Sequence, residues 1–240
     1  AFAKSKKSDQ LDNKSPLRNK AFQSVKATIL LNEAATKEGI LREINEISAA
    51  ITQRSDKDGR QRDVLFVFLS GHGVQTQGEP ELYFWNYDLN PDDLKTTGLA
   101  LIELGQIITS VPADVILAID ACHSGLAGGE VMRGLDPDEL AKRIHAVNER
   151  GMYILNAARS EELAHEDPSI SHGFFTQAIL TTLQFETSIL AEQPGSKENS
   201  ISMLSLIAAV QQLVPYYTKQ KQMSVCRMYG DLLPLVIYKK

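Results

Sequence analysis

Apolar positions along the chain follow two alternating patterns, which predict strands and helices in turn. Val64–Leu69 and Val115–Ile119 are apolar at every position, as expected for central strands that are covered on both faces. Further strands are predicted at Val25–Leu31, Met152–Leu155 and Leu233–Tyr238. Helices are predicted to begin near Thr36, Leu99, Phe174 and Ile201, and a polar helix is predicted near Asp138 to Glu149. Strands that alternate with helices indicate an α/β fold with a mostly parallel central sheet flanked by helices.

Chemically capable side chains follow the two most apolar strands. The first strand leads into Ser70-Gly71-His72-Gly73, and the second leads into Asp120-Ala121-Cys122-His123-Ser124-Gly125. Functional sites in open α/β sheets form at the carboxyl ends of strands. If the two strands are neighbours, His72 and Cys122 face each other across one cleft. A cysteine attacks as its thiolate, and a nearby histidine can take its proton and return it to a leaving amine. The pair therefore predicts nucleophilic catalysis.

Gly73 is a further candidate, because without a side chain its backbone N–H can approach a substrate carbonyl. Together with the backbone N–H of Cys122 it would form an oxyanion hole, a device that typically lowers a barrier by about 3 kcal/mol. A lone buried cysteine is more often a small core residue, and we assign Cys226 to the core. A structural role is also expected for the histidines without a partner at useful spacing, namely His123, His145, His165 and His172.

Taken together, the motifs Ser-Gly-His-Gly and Asp-Ala-Cys-His-Ser-Gly strongly resemble those of the metacaspases and their bacterial relatives, the orthocaspases. These are caspase-like cysteine peptidases, and the interval from His72 to Cys122 matches the histidine-upstream spacing of caspases. The resemblance runs from about residue 1 to 186 and includes Leu31-Asn-Glu-Ala-Ala-Thr-Lys-Glu, Ala157-Ala-Arg-Ser-Glu-Glu and His172-Gly-Phe-Phe-Thr. It implies a caspase-like, three-layer αβα sandwich and a cysteine endopeptidase.

The resemblance also implies roles for individual residues. His72 and Cys122 match the catalytic dyad of the family. Asp120 matches the acid at the base of the primary specificity pocket, and Ser70 matches a residue of the pocket wall. An aspartate there would pair with an arginine or lysine at P1, the residue before the cleaved bond. Taken alone, Asp120 is explained equally well as a strand-end charge that caps a loop.

Composition narrows the class of protein. The 240 residues carry a net charge of −5, although seven basic and two acidic groups lie within the first 26 residues. The remainder is strongly acidic, which disfavours nucleic acid and favours basic peptides. No apolar run approaches the roughly 18 residues that span a bilayer, and no signal-peptide core is present at the N-terminus. Two cysteines fit a reducing compartment. We therefore expect a cytoplasmic protein that binds neither nucleic acid nor membrane.

The resemblance also predicts how the chain is divided. Residues 1–24 are expected to be the end of a helix and a flexible basic loop, and residues 25–240 a caspase-like peptidase domain. Within that domain a large-subunit-like part extends to about 130, a linker covers about 130–151, and a small-subunit-like part covers 152–240. The linker contains Arg133, Lys142, Arg143 and Arg150. Self-processing there and an ordinary surface helix both remain open. The family's first strand has no match, so an additional domain or a partner chain is expected to supply it.

The sequence leaves two alternatives open, calcium activation and a non-catalytic function. Many metacaspases are activated by calcium, and Asp88, Asp92 and Asp93 offer oxygen ligands. A solvated turn at Asn90-Pro91-Asp92 is the preferred explanation, so we expect no metal or cofactor, with calcium activation as the alternative. The rival function is a dormant caspase-like adaptor or scaffold that binds a partner chain, because an incomplete sheet edge can dock another strand. Intact His72 and Cys122 argue against it.

Overall fold

The computed structural model describes residues 22, 24–58, 63–75, 81–122, 151–158, 172–184, 199–230 and 233–238. The strands in these ranges are β1 (Val64–Gln75), β2 (Leu82–Phe84), β3 (Leu99–Ala100), β4 (Asp114–Cys122), β5 (Met152–Asn156), β6 (Asn199–Ser202), β7 (Val225–Tyr229) and β8 (Pro234–Tyr238). The α-helices are α1 (Lys37–Asp58), α2 (Leu94–Thr97), α3 (Leu101–Thr109), α4 (Phe174–Gln184) and α5 (Met203–Tyr217). Short 3-10 helices lie at Asn32–Ala34 and Pro91–Asp93.

Six of these strands form one mixed sheet in the order β3-β2-β1-β4-β5-β7. β1, β4 and β5 are parallel to one another at its centre, whereas β2, β3 and β7 join through antiparallel pairings at the two sides. β6 and β8 form a separate antiparallel pair. The parallel centre places the carboxyl ends of β1, β4 and β5 along one edge, which is where the sequence predicts the site.

Helices cover both faces of the six-stranded sheet. On one face α1 and α3 supply core side chains, including Ile40, Ile44, Leu104 and Ile108. On the other face α4 and α5 supply Phe175, Ala178, Leu206 and Val210. β4 lies between the two layers, and its apolar residues from Val115 to Ile119 are all buried. A strand covered on both sides has no polar face, so this arrangement explains the continuous apolar run and confirms the predicted three-layer α/β fold class.

The strand predicted at Val25–Leu31 is wrong. This segment has no regular secondary structure, and its Ile29 and Leu31 side chains are each 54% exposed. A β-strand needs a hydrogen-bonded neighbour to be stable, and none of the described strands pairs with this segment. Its apolar, β-branched composition is therefore not enough to make it part of the sheet.

β7 was not predicted from the sequence. It pairs antiparallel with β5, with Cys226 opposite Leu155. Cys226 is its one fully buried residue, and Arg227 interrupts its apolar pattern. A strand at the side of a sheet is half covered and lacks a long apolar run, so the criterion that identified β1 and β4 does not detect it.

Helix starts were predicted to within a few residues. The Thr36 hydroxyl accepts a hydrogen bond from the Gly39 N–H at 3.0 Å, as expected of an N-cap. α5 begins at Met203 rather than near Ile201, because Ser202 caps it by accepting the Ser205 N–H at 3.2 Å. The helix predicted near Asp138 to Glu149 lies outside the described residues, as do residues 1–21 and the linker up to residue 150.

Among the described residues, no helix has both the length and the apolar composition needed to cross a bilayer.

Candidate active site

The two motif-bearing strands are direct neighbours. β1 and β4 pair in parallel over nine positions, which include Ser70 with Asp120 and, as the last pair, His72 with Cys122. Adjacent strands lie about 4.8 Å apart, so the two candidate catalytic residues are side by side at the carboxyl edge of the sheet. The side chain of Cys122 is outside the described part of the structure. The backbone register alone therefore brings the two predicted dyad positions together.

The backbone hydrogen bonding of His72 determines the direction of the Gly73 N–H group. The His72 side chain is exposed, and its carbonyl oxygen accepts the Trp85 N–H at 2.8 Å, on the β2 side of the strand. Backbone groups of successive strand residues point to opposite sides. The N–H of Gly73 is therefore directed toward β4, where Cys122 lies, which is the direction that an oxyanion hole shared by these two residues requires.

The two glycines that flank His72 have different surroundings. A Cβ atom at Gly71 would lie 3.0 Å from Cζ and 3.1 Å from Cε2 of the buried Phe84 ring. At Gly73 the nearest atoms would be Leu82 Cδ1 at 3.8 Å and the Tyr83 carbonyl oxygen at 3.9 Å, which is ordinary contact. Packing against Phe84 therefore disfavours a side chain at 71, whereas there is room for one at 73.

Asp120 is a buried acid at the same edge, with only 5% of its surface exposed. The Thr176 hydroxyl, in the first turn of α4, donates a hydrogen bond to Asp120 Oδ2. Gly173, just before α4, lies so close that a Cβ atom there would be 3.1 Å from Oδ2 and 3.2 Å from Oδ1. Ser70, the register partner of Asp120, is exposed. The edge thus combines a buried carboxylate with an exposed hydroxyl and imidazole.

The carboxyl end of β5 completes this edge. The fully buried Gln222 side chain donates to the Ala157 carbonyl oxygen at 2.8 Å, and the Gln222 N–H donates to the Thr218 hydroxyl at 3.1 Å. These bonds hold the turn between α5 and β7 against the end of β5. Sequence reasoning missed both Gln222 and Thr176. Thr176 is the last residue of the stretch His172-Gly-Phe-Phe-Thr that the resemblance singled out, which was the available signal.

The candidate calcium ligands make local hydrogen bonds. Asp88 Oδ1 accepts the Lys37 N–H at 2.9 Å and the Asn86 amide at 2.7 Å. Desolvation raises the pKa of the exposed Asp88 carboxyl, but hydrogen bonds, chiefly from the Lys37 N–H and the Asn86 amide, together with the Lys37 charge outweigh it and hold the pKa below its usual value. Asp93 caps α2 through the Thr96 N–H. No cluster of three potential metal-binding residues occurs in the described ranges. Calcium activation stays a prediction.

Of the remaining candidate residues, Cys226 and His172 lie within the described part of the structure. Cys226 is buried, and desolvation raises the pKa of its thiol to about 12, as expected of an unreactive core residue. His172 Nε2 and Gln177 Oε1 share a hydrogen bond of 2.7 Å at the start of α4. His123, His145 and His165, and the linker residues Arg133, Lys142, Arg143 and Arg150, lie outside the described residues.

A histidine and a cysteine in register at the carboxyl edge of a three-layer α/β sandwich are the features of a caspase-like protein. The profile of the caspase domain matches residues 17–229, which is most of the chain. The chain therefore belongs to the caspase-domain family, a family of cysteine peptidases.

Individual relatives agree with this assignment over shorter stretches. The chain is 36% identical to Metacaspase-1 of Candida albicans over 81 residues, which cover 29% of this chain and 18% of that protein. It is 30% identical to Metacaspase-1 of Lodderomyces elongisporus over 116 residues, or 43% of this chain and 25% of that protein. The matched segments thus span a quarter or less of these relatives' lengths.

A solved structure supports the fold over a longer range. Protein GSU0716 from Geobacter sulfurreducens superposes on this chain with a TM-score of 0.51. The superposition covers 85% of this chain and 77% of the GSU0716 chain. The sequence identity is 17%, so this similarity concerns the fold alone.

Proposed function

We propose that this domain is a cysteine endopeptidase in which His72 and Cys122 form the catalytic dyad. The observation that carries the proposal is the in-register pairing of these two residues at the carboxyl ends of neighbouring parallel strands. A thiol needs a base beside it to become a nucleophile at neutral pH. The exposed imidazole of His72 is accessible to a substrate and is next to the cysteine in the sheet.

The proposed reaction uses only groups of this edge. His72 takes the proton of the Cys122 thiol, and the thiolate attacks the carbonyl carbon of the scissile peptide bond. The N–H groups of Gly73 and Cys122 stabilise the oxyanion that forms. His72 then gives its proton to the leaving amine, and the acyl group remains on sulfur. Water, deprotonated by His72, releases the acid and regenerates the thiol.

Asp120 is proposed to select the P1 residue. Its carboxylate is buried at the same edge as the dyad positions and accepts the Thr176 hydroxyl. A carboxylate forms strong charge-assisted hydrogen bonds with the guanidinium or ammonium group of a basic side chain. Ser70, exposed beside Asp120 on the neighbouring strand, is proposed as part of the pocket wall. The expected substrates are therefore peptides and proteins with Arg or Lys at P1.

The test is hydrolysis of fluorogenic peptides that differ only in P1: Arg, Lys, citrulline or Asp. We expect turnover after Arg and Lys, and a loss of about 1,000-fold or more in the Cys122→Ala and His72→Ala variants. Cys226→Ala, which removes the other thiol, is the matched control and should retain activity. Assays with and without calcium decide whether the ion activates. Absence of turnover in every condition would favour the dormant adaptor or scaffold.

Self-processing is a further part of the proposal. The linker residues Arg133, Lys142, Arg143 and Arg150 would be P1 sites for an enzyme that cleaves after basic residues. Mass spectrometry of the purified protein should find cleavage within 130–151 in the wild type and an intact chain in Cys122→Ala. An intact wild-type chain that nevertheless cleaves peptides would restrict the activity to other substrates. We propose a reducing, cytoplasmic location, because a catalytic thiol must stay reduced.

A further inference from the structure

We propose that Thr176 is a positioning residue for substrate selection, and that it orients the Asp120 carboxylate toward the P1 side chain. The inference rests on the proposed function, because it assigns a task to a residue of the same pocket. It adds a residue of α4 to a site that otherwise consists of strand ends. It also predicts that arginine and lysine at P1 depend on Thr176 to different extents.

The contact itself is a hydrogen bond across two layers of the fold. Asp120 lies on β4 in the central sheet, and Thr176 lies in the first turn of α4, in one of the helical layers. The Thr176 hydroxyl donates to Oδ2 of the carboxylate. Hydrogen bonds to an ionised acceptor are roughly twice as strong as neutral ones. One donor fixed by a helix therefore restrains how the carboxylate can rotate.

Gly173 makes this contact possible. A Cβ atom at position 173 would be 3.1 Å and 3.2 Å from the two carboxylate oxygens, closer than side chains normally approach. Gly230 is the glycine with a positive φ among the described residues, so Gly173 is not required by its backbone conformation. The absence of a side chain at position 173 therefore lets the segment before α4 lie directly against Asp120.

Orientation of the carboxylate matters more for arginine than for lysine. A guanidinium group is planar and pairs with a carboxylate through two parallel hydrogen bonds, so it is sensitive to the plane of the carboxylate. The ammonium group of lysine is a compact charge with three rotatable donors and tolerates a turned carboxylate. Oδ2 can accept from Thr176 and from a substrate, because each carboxylate oxygen has two acceptor sites. Loss of the Thr176 hydroxyl should therefore weaken P1 arginine recognition selectively.

The experiment compares three variants on the same α4 helix in the full chain. Thr176→Val removes the hydroxyl at nearly constant shape, and Thr176→Ser retains it. Thr182→Val is the control, because the Thr182 hydroxyl lies on the same helix but donates to the Ala178 carbonyl oxygen at 2.8 Å. KM and kcat are measured with P1 Arg and P1 Lys peptides of otherwise identical sequence. The thermal unfolding midpoint of each variant is measured in parallel.

We expect Thr176→Val to raise KM for the arginine peptide about tenfold, with kcat much less affected, because the P1 side chain is bound alike in ground and transition states. The rise for the lysine peptide should be clearly smaller. Thr176→Ser should restore the wild-type KM to within about twofold, since it keeps the donor to the ionised acceptor. Thr182→Val should leave both KM values unchanged.

Three results would overturn the inference. One is an unchanged KM in Thr176→Val, with or without a lower unfolding midpoint, which would make the contact purely structural. Another is an equal rise for both peptides. The third is a serine variant that behaves like valine. Failure of the proposed function is distinguishable, because a wild type that does not cleave after Arg or Lys overturns the proposed function and this inference together.

Discussion

The two ends of β4 each hold a buried aspartate, and their surroundings differ. At the amino end Asp114 is fully buried, and its Oδ1 accepts the backbone N–H of Gly151 at 2.9 Å. At the carboxyl end Asp120 contacts the side chain of Thr176 and lies beside exposed Ser70. Burial of an acid is thus common to both ends. The exposed Ser70 beside the acid distinguishes the carboxyl end, which supports the role in substrate recognition proposed for Asp120 and a structural role for Asp114.

Gly73, at the carboxyl end, also differs from the glycines at the amino end. At the amino end a Cβ atom on Gly151 would be 2.7 Å from Asp114 Oδ1 and 2.8 Å from the Tyr153 hydroxyl oxygen. Gly230, which packs against it, would place a Cβ atom 2.6 Å from Gly151 Cα. At the carboxyl end Gly73 has ordinary space around it. Packing explains the amino-end glycines, whereas the fold does not explain Gly73.

The largest expected effect separates the two aspartates. Asp120→Asn keeps the size of the side chain but removes its charge, so kcat/KM for P1 arginine peptides should fall about 1,000-fold, equivalent to about 4 kcal/mol. Asp114→Asn should leave the preference for basic P1 residues unchanged and lower the thermal unfolding midpoint instead. The comparison between the two ends would be wrong if Asp114→Asn altered the P1 preference or if Asp120→Asn left it intact.

The next effect concerns the glycine at the amino end. Gly151→Ala inserts a methyl group against two buried polar atoms, and overpacking of this kind costs about 3 kcal/mol of unfolding free energy. Chemical denaturation measures the cost directly. The remaining folded protein should cleave peptides with wild-type kcat/KM, because the change lies at the end of the sheet away from the site. A specific loss of kcat in stable protein would contradict this separation.

Gly73→Ala is the matched change at the carboxyl end, and its effects should be reversed. The added methyl group has room in the fold, so the unfolding free energy should change by less than about 1 kcal/mol, and reduced freedom of the unfolded chain favours alanine. Activity should fall about 30-fold, since the methyl group crowds the N–H proposed to bind the oxyanion. Undiminished kcat/KM would remove Gly73 from the proposed oxyanion hole.

Sequence reasoning was most reliable where burial dictates the pattern. β4 was predicted because both of its faces are covered, as the burial of Val115–Ile119 confirms. β1 was predicted by the same criterion, but the described residues cover only one of its faces, since Phe66 and Phe68 are 50% and 39% exposed. The register of His72 with Cys122 was an expectation that depended on the strands being adjacent. Neither the hydrogen bond from Thr176 nor the anchor provided by Gln222 was foreseen, because each joins elements far apart in the chain and depends on packing between layers. Local patterns carry no information about such contacts.

The smallest expected effect concerns an acid outside both ends of β4. Asp88 is exposed, and its pKa is lowered because hydrogen bonds from the Lys37 N–H and the Asn86 amide outweigh desolvation. A carboxylate whose pKa is lower in the folded state stabilises the fold above its unfolded pKa, and that stabilisation is lost as the pH falls through the folded value. Asp88→Asn should therefore be slightly less stable than wild type at pH 7, and the difference should disappear once the pH falls below the lowered pKa that Asp88 has in the folded state.

Urea denaturation at pH 7 and at acidic pH measures this difference, and Asp92→Asn is the matched control, because Asp92 is exposed in the nearby 3-10 helix Pro91–Asp93. Repeating the pH 7 measurement with calcium connects the result to activation. If Asp88 acts only as an anchor for the start of α1, calcium should stabilise wild type and both variants equally or not at all. A calcium-dependent stabilisation that both substitutions abolish would instead identify this turn as an ion site and support calcium activation.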